Sequence, residues 1–146
     1  MNPEPRWLPK AAILAIHERL LAEHGGAPGI RDEGLLDAAL ASPRHHRSYS
    51  DVDLFDLAAA YAHAIVRNHP FHDGNKRVAL TAAGVFLELN GHRLNASEID
   101  AVAATVALAD RSLDPGRFAL WLRQTSSRIV RSRRAKSSQP RKKRRP

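Results

Sequence analysis

The chain contains no cysteine. That removes a disulfide framework, a thiolate metal centre and a cysteine nucleophile together. It has one methionine, and aromatics make up only 5% of it, so its core has to be built from aliphatic side chains and alanine. Long hydrophobic runs are missing as well. The longest uncharged stretch, Val78 to Leu87, is interrupted by Thr81 and Gly84 and is far shorter than the ~20 residues a spanning helix needs. The opening residues carry no apolar segment of the secretory kind, which sets the expectation of a cytoplasmic protein with no membrane contact. No His-Glu-x-x-His occurs among the eight histidines, and His45 and His46 are adjacent, so zinc hydrolysis has no ligand pattern to use.

What is present is enough for one domain. The 146 residues are 43% apolar and 26% charged, a balance that supports a packed core. The formal net charge of +8 is unevenly spread: residues 128–146 hold ten Lys or Arg and no acid, leaving 13 basic and 15 acidic residues in the first 127. The expected organisation is therefore a folded domain over 1–127 and a disordered basic tail over 128–146. Such a tail is either simply solvated or makes a weak, salt-dependent contact with RNA, the ribosome or another anionic surface. A non-catalytic RNA- or ribosome-binding module acting through it is the lesser alternative to an enzyme.

Helical spacing recurs along the domain, and alternation of the strand type does not. The fold class expected is all-α, a compact bundle of about six helices. Pro9 opens the first ahead of Ile13, Ile16, Leu20 and Leu21, with Gly25-Gly26 closing it. A short second helix is expected over Asp32 to Ala41, stopped by Ser42-Pro43, followed by a long loop to Asp53. Leu54, Leu57, Tyr61 and Ile65 mark a third that runs to Asn68. A fourth, from Asn75 to Leu89, is apolar on nearly every side, which places it at the centre. Asn95 with Glu98 forms a capping box for a fifth helix whose inner face would carry Ile99, Val102 and Val106. Asp114-Pro115 opens a sixth bearing Phe118, Trp121 and Leu122.

The chemistry concentrates in His69-Pro70-Phe71-His72-Asp73-Gly74-Asn75-Lys76-Arg77. Pro70 breaks the preceding helix and Gly74 permits a tight turn. The helix that follows begins with free N–H groups and a positive dipole end, which suits an anion. Lys76 and Arg77 carry the wrong charge for a helix N-terminus, unless a bound polyphosphate compensates them. Asp73 is a hard oxygen ligand of the kind Mg²⁺ takes alongside phosphate oxygens and water. An imidazole such as His69 can take the proton of an attacking hydroxyl. Phe71 should point inward and anchor the segment. Together these parts describe phosphoryl or nucleotidyl transfer.

The segment resembles the Fic motif, His-Pro-Phe-x-(Asp/Glu)-Gly-Asn-Gly-Arg-x-x-Arg, in the form typical of the Doc (death on curing) toxins. Gly29-Ile30-Arg31-Asp32, Leu35 to Leu40 and Phe86 to Gly91 extend the resemblance, which runs from about Leu8 to Trp121. It departs from Fic enzymes at two positions: Lys76 replaces the second glycine, and Leu80 replaces the second arginine. Fic enzymes move AMP from ATP to a hydroxyl. Doc proteins share the lysine and are understood to bind ATP in the reverse sense and transfer its γ-phosphate. The resemblance thus implies a protein kinase that uses ATP and Mg²⁺, acts on elongation factor Tu and arrests translation, with AMP transfer as the alternative. It implies His69 as the base, Asp73 as the metal ligand, and Gly74, Asn75, Lys76 and Arg77 as phosphate binders. It also implies a separate antitoxin as partner, because no (Ser/Thr)-x-x-x-Glu-(Gly/Asn) inhibitory helix is present. The long loop over Ser42 to Asp53 corresponds, on this resemblance, to a target-docking flap.

Overall fold

The computed structural model describes residues 3–130; the tail expected to be disordered falls, apart from its first three residues, outside the described residues. Six helices and one short ribbon make up the rest: α1 (Lys10–His24), α2 (Glu33–Tyr49), α3 (Leu54–Asn68), α4 (Asn75–Leu89), β1 (His92–Leu94), α5 (Glu98–Ala109), α6 (Pro115–Thr125) and β2 (Ser126–Arg128).

The centre is the α3–α4 pair. Alanine at 58, 59, 60, 62 and 64 makes α3 slender, so its neighbours approach closely, while Leu57, Tyr61 and Ile65 fill the space between them. On α4, Val78, Ala79, Ala82, Ala83, Phe86 and Leu87 are buried. The helix is central as its composition demands, although not enclosed all round: Val85 and Leu89 reach the surface. Burying an aliphatic side chain of this size stabilises the fold by about 1.5–3 kcal/mol. The N-terminal arm closes one end. Leu8 is buried and its N–H donates to the Tyr61 hydroxyl at 3.0 Å, Trp7 stacks on Phe86, and Asn90 exchanges hydrogen bonds with the backbone of Arg6.

Several expectations need correction. Helix α2 does not stop at Ser42-Pro43 but runs on to Tyr49 with Pro43 inside it. Leu36, Ala39 and Pro43 form its buried stripe, so packing of the ring offsets the hydrogen bond that proline forfeits. The expected loop shrinks to residues 50–53, and a flap over Ser42 to Asp53 is not what these residues form. Asp53 instead caps α3 through a reciprocal box with Asp56.

At α5 the cap is Ser97, whose side chain accepts from the Asp100 N–H at 3.1 Å. Asn95 is engaged elsewhere, with its N–H on the Thr125 carbonyl and its side-chain amide on the Ser127 hydroxyl. The inward face of α5 carries Ala101, Thr105 and Leu108; Ile99 is 81% exposed, and Val102 and Val106 are about half exposed. The ribbon is also unforeseen in the sequence. Antiparallel pairing of His92 with Arg128, Arg93 with Ser127 and Leu94 with Ser126 ties the end of α6 to the end of α4, and the expected boundary after residue 127 falls inside β2.

Candidate active site at the N-terminus of α4

The 69–77 segment is a turn clamped on three sides. Residue 69 caps α3 in the left-handed region, φ 51 and ψ 54, a conformation that is unusual for a residue other than glycine and over-represented at functional positions. Arg31 holds it there. Its Nε donates to the His69 carbonyl at 2.7 Å and its Nη2 to the Asn68 carbonyl at 2.9 Å. The backbone N–H groups of Arg31 and Asp32 both donate to the Pro70 carbonyl, and the His72 N–H donates to the Gly29 carbonyl. The 29–32 stretch thus lies alongside the turn as a brace.

Beneath the turn, Phe71 is fully buried as expected. The Asn75 side chain accepts from the Phe71 N–H at 3.0 Å and donates to the Phe71 carbonyl at 2.9 Å. Asn75 is itself only 4% exposed, so its side chain faces the core. What it offers to the cleft is its backbone N–H at the start of α4. This differs from the sequence-based picture of a phosphate-binding side chain.

His17, on α1, is the second support from below. Its ring lies nearly parallel to Phe71 with centroids 3.9 Å apart, and Nε2 is 3.0 Å from the Asp73 carbonyl. A carbonyl only accepts, so this nitrogen carries the hydrogen.

On the outer side, Asp73 is exposed to the cleft. Oδ2 accepts from the Ala27 N–H at 3.1 Å and Oδ1 from its own neighbour, the Gly74 N–H, at 3.0 Å. Those two bonds, the Ala27 one first, hold its carboxyl below the usual carboxylate range, with the charges of Arg77 and His17 assisting. Gly26 makes this approach possible: a Cβ there would sit 2.9 Å from Asp73 Oδ2, and its φ of +123° favours glycine in any case. Each carboxylate oxygen keeps a lone pair free. The set therefore fits a Mg²⁺ that brings its own phosphate and water ligands. Among the described residues no cluster of three His, Cys, Asp or Glu forms a metal cage.

Gly74, at φ 81, begins α4, and no side chain caps it. The Gly74 N–H is taken by Asp73 Oδ1, and among the described residues the N–H groups of Asn75, Lys76 and Arg77 have no partner. Lys76 and Arg77 are exposed, and neither is in an ion pair with any described residue. These groups share one cleft of about 530 Å³, lined at its polar end by His69, His72, Asp73, Gly74, Asn75, Lys76 and Arg77. Its other wall is apolar, formed by Val66, Leu80, Val102, Val106 and Ala109 from α3, α4 and α5. Val102 and Val106, expected in the core, are thus part of the site.

Of the residues singled out in the sequence, His69, Asp73, Gly74, Asn75, Lys76 and Arg77 all line this cleft, while Phe71 lies buried beneath it. His17, Gly26 and Arg31 were not singled out as site residues. A lone histidine on an apolar helix face gives no sequence signal, whereas the Gly25-Gly26 pair followed by Gly29 marked a loop of unusual backbone freedom.

A family model described as the Fic/DOC family matches residues 7–87. The chain is 36% identical over 87 residues to protein kinase doc of Escherichia phage P1, a match that covers 59% of this chain and 69% of that protein. It is 47% identical over 76 residues to toxin Doc of Mycolicibacterium smegmatis, covering 49% of this chain and 57% of that one. The matched residues of the family model take in α1 to α3, the clamped turn and most of α4, more than half of the sequence, and the chain belongs to the Fic/DOC family.

Proposed function

We propose that the chain is a Doc-type toxin: a protein kinase that moves the γ-phosphate of ATP to a hydroxyl of a translation factor, with elongation factor Tu as the first candidate, and so arrests translation. The observation that carries this reading is the shared cleft, which His69, the uncapped start of α4, Lys76, Arg77 and a set of apolar side chains line together. The printed names of the two relatives, a protein kinase and a toxin, agree with it.

In this reading the acceptor hydroxyl passes its proton to the His69 imidazole as its oxygen attacks the γ-phosphorus. The bond from that phosphorus to the β,γ-bridging oxygen breaks, and ADP leaves. The free N–H groups of α4, Lys76 and Arg77 receive the phosphate charge, a job of positioning and electrostatics rather than covalent chemistry. Asp73 would hold a Mg²⁺, which would neutralise charge on the transferring group. The apolar wall receives the base and ribose side of the nucleotide. Leu80 lies one helical turn beyond Lys76, where a Fic enzyme carries a second arginine, so the site grips phosphate at one level only. A separate antitoxin is proposed as the partner that restrains the enzyme.

The test is transfer to elongation factor Tu with Mg²⁺ and ATP labelled at either the α or the γ position. Label arriving from the γ position alone is expected. Label from the α position would make the chain an AMP transferase, and label from neither would remove elongation factor Tu as the target. Lys76→Gly restores the Fic residue and is expected to loosen the orientation of the nucleotide, read as a rise in α-label transfer.

A further inference from the structure

His17 is buried in α1, on an element that contributes nothing to the lining of the cleft, yet it touches the turn that carries Asp73. Its contacts are specific in two ways. One is apolar, the ring-on-ring contact with Phe71. The other is polar and directional, from Nε2 to the carbonyl of Asp73 at 3.0 Å. Gly74 is adjacent, with its Cβ direction 3.8 Å from the same ring.

The direction of that polar contact has a consequence for the carboxylate. In a planar trans peptide the C=O and the N–H point opposite ways. Fixing the Asp73 carbonyl toward His17 therefore aims the Gly74 N–H outward, and that N–H is the donor to Asp73 Oδ1. The other carboxylate oxygen is held by the Ala27 N–H. One oxygen is thus positioned from the 25–29 loop and the other, through a single peptide plane, from α1.

We infer that His17 is a positioning residue, which sets the Asp73–Gly74 peptide plane through Nε2–H and so orients the carboxylate for the nucleotide-borne Mg²⁺. The inference rests on the reading of Asp73 as the Mg²⁺ ligand proposed above. Residues that orient a metal ligand from behind characteristically change metal affinity 10–100-fold when lost.

Two substitutions separate the polar contact from the packing. His17→Phe keeps a ring against Phe71 but has no donor. His17→Gln gives up the ring and keeps an N–H that can reach the same carbonyl. The first readout needs neither metal nor nucleotide: hydrogen exchange and the ¹⁵N shift of the Gly74 amide in the free protein. Gly74 is expected to exchange at least tenfold faster in His17→Phe and to stay near wild type in His17→Gln. The second readout is the Mg²⁺ concentration giving half-maximal binding of a non-hydrolysable ATP analogue. It is expected to rise about tenfold in His17→Phe, with recovery to within about threefold in His17→Gln.

A His17→Phe protein with wild-type Gly74 protection and wild-type Mg²⁺ dependence would overturn the inference. Equal impairment of both variants, or failure of both to fold, would overturn it too, since the ring would then matter only as packing. Loss of Gly74 protection with unchanged Mg²⁺ dependence would leave the peptide plane set by His17 but refute Asp73 as the metal ligand, and the inference would fall with that reading. Absence of any label transfer by the wild-type chain would count against the kinase alone.

Discussion

Replacing Asn75 by alanine distinguishes a side chain that holds the turn from one that holds phosphate. The Asn75 carboxamide meets both backbone groups of Phe71, and among the described residues no other partner takes either group. Phe71 is fully buried, so Asn75→Ala strands one donor and one acceptor away from water. Each stranded group costs about 1–3 kcal/mol, and partial relaxation of the turn leaves a net loss of about 3 kcal/mol. For a folded body of this size that corresponds to a fall in thermal midpoint of about 10 °C, measured by circular dichroism without nucleotide. Asn75→Asp is a sharper version. It keeps the acceptor for the Phe71 N–H but sets a buried negative charge against the Phe71 carbonyl. Burial raises the folded-state pKa of such a group above its unfolded value, so the defect should be greatest at neutral pH and shrink as the pH falls and the carboxyl protonates. A midpoint within about 2 °C of wild type for Asn75→Ala, together with a tenfold weaker affinity for ATP, would refute this account and return the side chain to the phosphate.

Other outcomes follow from the same geometry. His69→Ala should lower phosphate transfer by about 10²–10⁴-fold and leave ATP affinity within about twofold, measured by single-turnover kinetics and calorimetry. Arg31→Ala frees the carbonyls of Asn68 and His69 and should lower kcat at least tenfold with little change in KM for ATP, because Arg31 does not line the cleft. Away from the site, partial burial of Asp53 opposes its charge, but the Asp56 N–H and the Arg123 guanidinium outweigh it and hold its carboxyl below the ordinary 3.8. A depressed folded-state pKa stabilises the fold above the unfolded value, and that contribution disappears as the pH falls through the folded one. Arg123→Ala should therefore cost about 1 kcal/mol at pH 7 and flatten the acid side of the stability profile below about pH 4, as followed by urea titration.

The helices that were legible in the sequence are those whose ends have their own chemistry. Pro70 and the Asp73-Gly74 turn bound α3 and α4, Asn90-Gly91 ends α4, and Asp114-Pro115 starts α6. Where the boundary depends on distant packing, local reading failed. Pro43 reads as a stop, yet it lies on the stripe that α2 buries, and Arg44 beside it reaches over the Trp7 ring. On α5 the largest side chains look like the core face, but the space beside α3 and α4 admits Ala101 and Thr105, and the valines are left to form the cleft wall. The three-residue strands hold too few side chains to alternate, and their pairing joins positions more than thirty residues apart. The site itself was legible because its groups are contiguous from His69 to Arg77. Its supports were not, since His17, Gly26 and Arg31 arrive from separate parts of the chain.

The β1–β2 ribbon has a practical consequence. The Ile129 N–H donates to the Gly91 carbonyl, which anchors the last described residues beside the C-terminal end of α4. The cleft is built on the opposite end of that helix, and 15 residues at 1.5 Å each set the two ends about 22 Å apart. A fluorophore or surface linker attached at Val130, which is 82% exposed, would therefore sit a full helix length from the cleft. The same rigid helix would serve as the ruler, and a quencher carried by the nucleotide would report its arrival as a distance.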